Sequence, residues 1–207
     1  MPLKNCWYTI VDNMEEKLFF EVPSIERKND AIDFINEFIK CGSDIHGAGS
    51  LYRYVNDYES WLKKLEEDYV KPVTEETVPS RTYFLVRNTD NKIIGMSNIR
   101  LALNKKLKEY GGHIGYSIRP TERGKGYNNI NLYLALKVCD EHDIKVALLD
   151  ADLDNPASWK TMEQLGGKRI REYYDYEHDH SVTVDYEIDV KNALKKHSDY
   201  EDLIIEK

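Results

Sequence analysis

Residues 118–128 read Ile-Arg-Pro-Thr-Glu-Arg-Gly-Lys-Gly-Tyr-Asn. The run from His113 to Ile118 predicts a strand, and Pro120, which has no N–H to give, ends its pairing. Beyond the glycines the apolar spacing becomes helical, from about Lys125 to Glu141. Gly124 and Gly126 let the backbone take unusual dihedrals and approach a ligand closely. The first helical turn presents unpaired N–H groups and the positive end of the helix dipole. Arg119, Arg123 and Lys125 add positive charge. Together these features form an anion cradle, and a diphosphate is its natural guest.

Two common phosphate loops do not fit. The GxxxxGK loop requires Ser or Thr after the lysine, and Lys125 is followed by Gly126. The dinucleotide fingerprint GxGxxG requires a third glycine where Asn129 stands. A glycine turn that only joins a strand to a helix is the bland alternative, and the interleaved Arg and Lys weigh against it.

Working outward, Lys17–Val22 reads as a first strand and Ser24 as the cap of a helix running to Ile39, stopped at Cys41-Gly42. Asn56 with Glu59 resembles a capping box for a helix over Asp57–Tyr69. Tyr83–Arg87 and Ile93–Ala102 flank Asp90-Asn91 as a hairpin. After the cradle and its helix come a strand over Lys145–Asp152, a helix over Ala157–Leu165, and a closing hairpin of Lys168–Tyr174 and Val182–Val190. This order predicts an α/β fold with a single mixed, mostly antiparallel central sheet and helices on both faces. Residues 1–190 form one domain, with the cofactor-binding core at about 93–190, and 191–207 are a charged, frayed tail.

Hydrophobic residues make up 41% of the 207, enough for a sizeable core. No stretch approaches the ~20 apolar residues of a membrane span, and Met1–Ile10 lacks the pattern of a secretory signal. The formal net charge of -8 argues against a nucleic-acid partner. Cys6, Cys41 and Cys139 form no CxxC pair, which suits a reducing cytoplasm and excludes a zinc or disulfide framework. Glu177-His178-Asp179-His180 looks like a metal cluster but reads as a solvated hairpin tip, so no metal is expected.

The cradle resembles the central motif of the GNAT family of N-acetyltransferases, Arg/Gln-x-x-Gly-x-Gly/Ala, with Arg123, Gly126 and Asn128 in its positions. Gly112–Pro120 before it is also similar to the family. A second element, an Asn after the next strand and then a short helix ending in Gly, is matched by Asn155, Ser158, Leu165 and Gly166. The resemblance covers about Ile93 to Val190. It implies acetyl-CoA as cosubstrate, an amine acceptor of unknown identity and room for a homodimer. Carried over residue by residue, it implies cofactor contacts at Ile118, Arg123, Gly124, Lys125, Gly126, Tyr127, Asn128, Asn155 and Ser158, with Ile118 offering backbone groups to the pantetheine arm. Two departures stand out. Asn128 replaces a small residue, and Met162 stands where many members carry a proton-donating Tyr.

Attack by an amine needs its free form, so a base or a water chain must take a proton. Asp150 and Asp152 share one strand face. Asp150 also falls where some family members place a carboxylate near the reaction, and is the candidate catalytic residue. A strand-end carboxylate that only bonds backbone explains it too. Glu109 and His113 are weaker candidates. Tyr173, Tyr174, Tyr176, Trp61 and Leu62 read as acceptor-site lining or as ordinary packing. A non-catalytic acyl-CoA-binding module is the competing function, and a phosphate- or nucleotide-binding regulator is a second.

Overall fold

The computed structural model describes residues 15–176 and 180–206. Strand β1 (Leu18–Glu21) is followed by helices α1 (Lys28–Cys41) and α2 (Tyr58–Tyr69). Gly42 closes α1 in the left-handed region at φ 60°. The cap of α2 is Asp57, whose carboxylate accepts from the Ser60 N–H, one residue beyond the expected Asn56. A hairpin of β2 (Ser80–Arg87) and β3 (Lys92–Arg100) follows, then the five-residue α3 (Lys105–Glu109), capped by Asn104 and not anticipated from sequence. Next come β4 (Ile114–Ile118), α4 (Tyr127–Glu141), β5 (Val146–Asp152), α5 (Pro156–Gln164), β6 (Lys168–Tyr174), β7 (Val182–Asp189) and α6 (Val190–Lys196).

The α/β architecture is as expected, but the strands form two sheets, not one. Sheet β1-β2-β3-β4 and sheet β5-β7-β6 are each antiparallel throughout. Side-chain acceptors explain the break. The His113 N–H reaches the Leu148 carbonyl at 2.6 Å. The Leu148 N–H, which a ladder would give to a carbonyl, goes instead to His113 Nδ1 at 3.0 Å. Gly112 backs onto the same place, where a Cβ would fall 2.2 Å from the Leu148 oxygen. Past this junction no hydrogen bond joins β4 to β5 among the described residues.

Phe34, Phe38, Trp61, Phe84 and Met96 form one core between α1, α2 and the first sheet. A second core surrounds α4, which is buried along most of its length and packs on β3, β4, α5 and α6. Burying apolar side chains of this size contributes roughly 1.5–3 kcal/mol each. The tail is not frayed. Val190 and Ala193 are buried, Tyr133 and Lys137 hold Glu201, and the Ile205 N–H donates to the Leu18 carbonyl at 2.9 Å. A few apolar residues within the charged tail dock it. Among the described residues no helix is long and apolar enough to cross a membrane.

Candidate functional site

The cradle is built by a change of backbone conformation over a few residues. Pro120–Glu122 makes one 3-10 turn, Gly124 and Gly126 sit at φ 77° and 80°, and α4 starts at Tyr127. A Cβ added to either glycine would meet nothing within 4 Å, so the ground above the turn is open. The first amides of α4 have no intrahelical acceptor, which suits a diphosphate lying over the turn.

The charges divide into two groups. Arg119, expected beside the cradle, is buried and committed elsewhere. It donates to Asp33 at 2.6 Å, Glu37 at 3.0 Å and the Ile93 carbonyl at 3.0 Å. Arg123 stays exposed, with Nε on the Ile118 carbonyl at 3.2 Å and Nη2 on Ser43 Oγ at 2.8 Å. Lys125 Nζ rests on Glu122 at 2.8 Å. Glu122 is buried, which alone would raise its carboxyl, yet Lys125, Lys92 and Arg87 hold it at about 2. Tyr127 faces inward, its hydroxyl bonded to Arg87 and Glu16. The Asn128 side chain also turns away from the open turn. Its Nδ2 donates to Thr161 Oγ1 at 3.1 Å and ties α4 to α5, so the bulk that departs from the family pattern does not fill the cradle.

Across the parting of the sheets, Asn155 caps α5 by position but makes no side-chain cap bond and is exposed. Ser158, one turn on, has its hydroxyl 3.1 Å from that of Tyr116 on β4. Met162 is in the core at 1% exposure. Thus the two sequence motifs meet where β4 and β5 separate.

The candidate bases have varied company. Asp150 Oδ2 accepts the Gly111 N–H at 2.7 Å. Asp152 accepts from Ser181 Oγ at 2.6 Å. His113 is pushed down to about 4 by burial and by nearby Arg100, so it is neutral at pH 7 with Nδ1 occupied. Glu109 takes Arg171 through its backbone carbonyl, not its side chain. Asp185 was missed from sequence. It pairs with Asp150 across the β5–β7 ladder and carries Arg171 at 2.6 Å. Burial pushes its carboxyl up, Arg171 opposes, and Asp150 adds to the rise. Alternation could have put Asp185 on the polar face of β7, but its partner depends on register, which sequence does not give. Arg171 stacks on Tyr173 at 4.1 Å, beside Tyr110. Trp61 is core, its Nε1 donating to the Gly49 carbonyl, and Tyr174 and Tyr176 are exposed. Glu177, His178 and Asp179 lie outside the described residues. Among the described ones no group of three or more His, Cys, Asp or Glu could hold a metal ion.

Two sheets that part beside a basic glycine turn opening a buried helix define an acyltransferase class of α/β fold. The chain belongs to the GNAT acetyltransferases: the family model described as Acetyltransferase (GNAT) domain matches residues 42–168. No curated protein matches the sequence. Among solved structures, mutant forms of the spermidine/spermine N-acetyltransferase SpeG from Vibrio cholerae share 12% identity, with 87% of this chain and 98% of that one covered and a TM-score of 0.61. RimL, a ribosomal L7/L12 alpha-N-protein acetyltransferase in complex with coenzyme A, shares 16% over 84% of this chain and 96% of that one, TM-score 0.61. An N-acetyltransferase from Staphylococcus aureus Mu50 shares 15% over 84% and 99%, TM-score 0.57. At these identities the likeness establishes the fold.

Proposed function

We propose that this chain moves an acetyl group from acetyl-CoA to a primary amine by direct attack within a ternary complex. The observation that carries the reading is the open turn at Gly124 and Gly126, with the first amides of α4 behind it and Arg123 and Lys125 beside it. The diphosphate lies on these amides, held also by Arg123 and Lys125. Lys125 reaches it by leaving Glu122, which keeps Arg87 and Lys92. Ile118 backbone, Asn155 and Ser158 hold the pantetheine arm. Tyr127 and Asn128 shape the cradle from within, a smaller part than direct contact. Asp150, through water, takes the ammonium proton while keeping its bond to Gly111. The amine acceptors named for SpeG and RimL, a polyamine and a protein N-terminus, support this acceptor class. A reducing cytoplasm suits the unpaired Cys41 and Cys139.

The test is release of the CoA thiol from acetyl-CoA with a panel of polyamines, small primary amines and peptides bearing free N-termini. Turnover with at least one, inhibited by CoA but not by ATP, is expected. Met162 favours the second reading, a non-catalytic acyl-CoA binder. That reading requires tight CoA binding and no acceptor-dependent thiol release.

A further inference from the structure

We propose that Tyr116 and Ser158 form the proton donor for the departing CoA thiolate. The inference rests on the transferase reading above and adds the acid that this reading lacks. When the amine nitrogen bonds the carbonyl carbon, the carbon–sulfur bond breaks and its electron pair leaves on sulfur. A thiol near pKa 8.5 leaves more readily if a proton arrives as the charge develops. Met162 has none to give.

Three observations point to the pair. Tyr116 and Ser158 hydroxyls lie 3.1 Å apart, either one able to donate, and they bridge β4 to α5. Tyr116 stands two residues before Ile118 on β4 and Ser158 three after Asn155 at the start of α5, so the pair joins the two elements that carry the groups assigned to the pantetheine arm. Ser158 also precedes Met162 by four residues, so both stand on one face of α5. A hydroxyl pair delivered from the strand therefore occupies the helix face on which residue 162 offers only a thioether. Burial pushes the Tyr116 phenol up to about 12, although Ser158 and Asn128 pull the other way. The phenol is thus protonated before the reaction.

The step balances. Sulfur takes the Ser158 hydroxyl proton, Ser158 is reprotonated by Tyr116, and the phenolate recovers, through water, the proton that nitrogen sheds after attack. The earlier ammonium proton goes to Asp150 and on to solvent, so from the free amine onward the net change moves one proton from nitrogen to sulfur.

The test compares CoA with desulfo-CoA, in which hydrogen replaces the thiol, by calorimetry on wild type, Tyr116→Phe and Ser158→Ala. Wild type should prefer CoA by about threefold to tenfold, or about 0.7–1.4 kcal/mol. Both variants should lose the preference. In Tyr116→Phe the desulfo-CoA affinity should stay within about twofold and the Tm within a few degrees, whereas Ser158→Ala, which also loses a contact to the pantetheine arm, should weaken both ligands alike. An undiminished preference in both variants overturns the proposal. Wild type that binds neither ligand overturns the transferase reading itself, which is a separate outcome. On an acceptor from the panel, Tyr116→Phe should lower kcat about tenfold to a hundredfold with the KM for acetyl-CoA unchanged. Fluorotyrosines placed at 116 should make kcat follow phenol acidity. A kcat indifferent to phenol acidity reduces Tyr116 to packing and also overturns the proposal.

Discussion

A side chain at Gly126 would project into open ground, so its bulk would fall on the ligand and not on the fold. Asp tolerates a left-handed backbone better than most residues. Gly126→Asp should therefore fold and lose at least tenfold in CoA affinity by calorimetry, about 1.4 kcal/mol. Unchanged affinity in the folded variant would remove the diphosphate from this turn. Asn155 makes no cap bond to α5, so Asn155→Ala should lower kcat/KM about tenfold and leave Tm nearly unmoved; a large Tm loss with normal specific activity would make it structural. For Asp150, the Asn variant can still accept the Gly111 N–H. It should lose ten- to a thousandfold in kcat/KM, less as pH nears the pKa of the acceptor amine, with CoA affinity unaltered. Normal turnover at pH 7 would leave Asp150 as a strut for the loop at Gly111. The left-handed glycines and the place of Asn155 at the start of α5 were legible because they follow from residue type and neighbours. The fate of Arg119 was not, since its partners Asp33 and Glu37 stand more than eighty positions earlier.

Helix α1 buttresses the cradle from behind. Glu37 accepts from the Thr121 N–H at 2.8 Å and from Arg119, while Arg119 also fastens to the Ile93 carbonyl of β3. Removing Arg119 leaves Glu37 half-buried without its cation, a loss of about 3 kcal/mol. Arg119→Ala should show that loss in urea unfolding, together with weaker CoA binding as the turn loosens. Full stability in this variant would mean that the ion pairs add nothing beyond their desolvation cost. At this scale the sequence was a good guide to helices and strands, because periods of 3.6 and 2 are local. Pairing is not local. Periodicity put Asp150 and Asp152 on one face of β5, but did not tell that an imidazole would take the Leu148 N–H and divide the sheet. Likewise the charge of the tail hid the few apolar residues that dock α6.

The two sheets are joined at one end through His113, and that makes the stability of the whole molecule depend on its protonation. The imidazole is 9% exposed and accepts a backbone N–H through Nδ1, which it can do only when that nitrogen is unprotonated. Burial first, then Arg100, lowers it from 6.5 to about 4. Above pH 6.5 the ring is neutral in both folded and unfolded chains, and its contribution does not vary. Between 6.5 and about 4 the unfolded chain takes up a proton that the folded one refuses, so stability falls as pH falls. Over that window the loss amounts to about 3 kcal/mol. Below it both states are protonated and this slope ends. Glu122, lowered from 4.5 to about 2, then continues the decline, since its unfolded carboxyl protonates first. His113→Asn keeps an acceptor for the Leu148 N–H but has no proton to gain. Urea midpoints measured from pH 8 to 4 should fall steadily below 6.5 in wild type and stay nearly level to about 4.5 in the variant. A variant slope equal to that of wild type would assign the acid sensitivity to other groups and leave His113 as a neutral strut between the sheets.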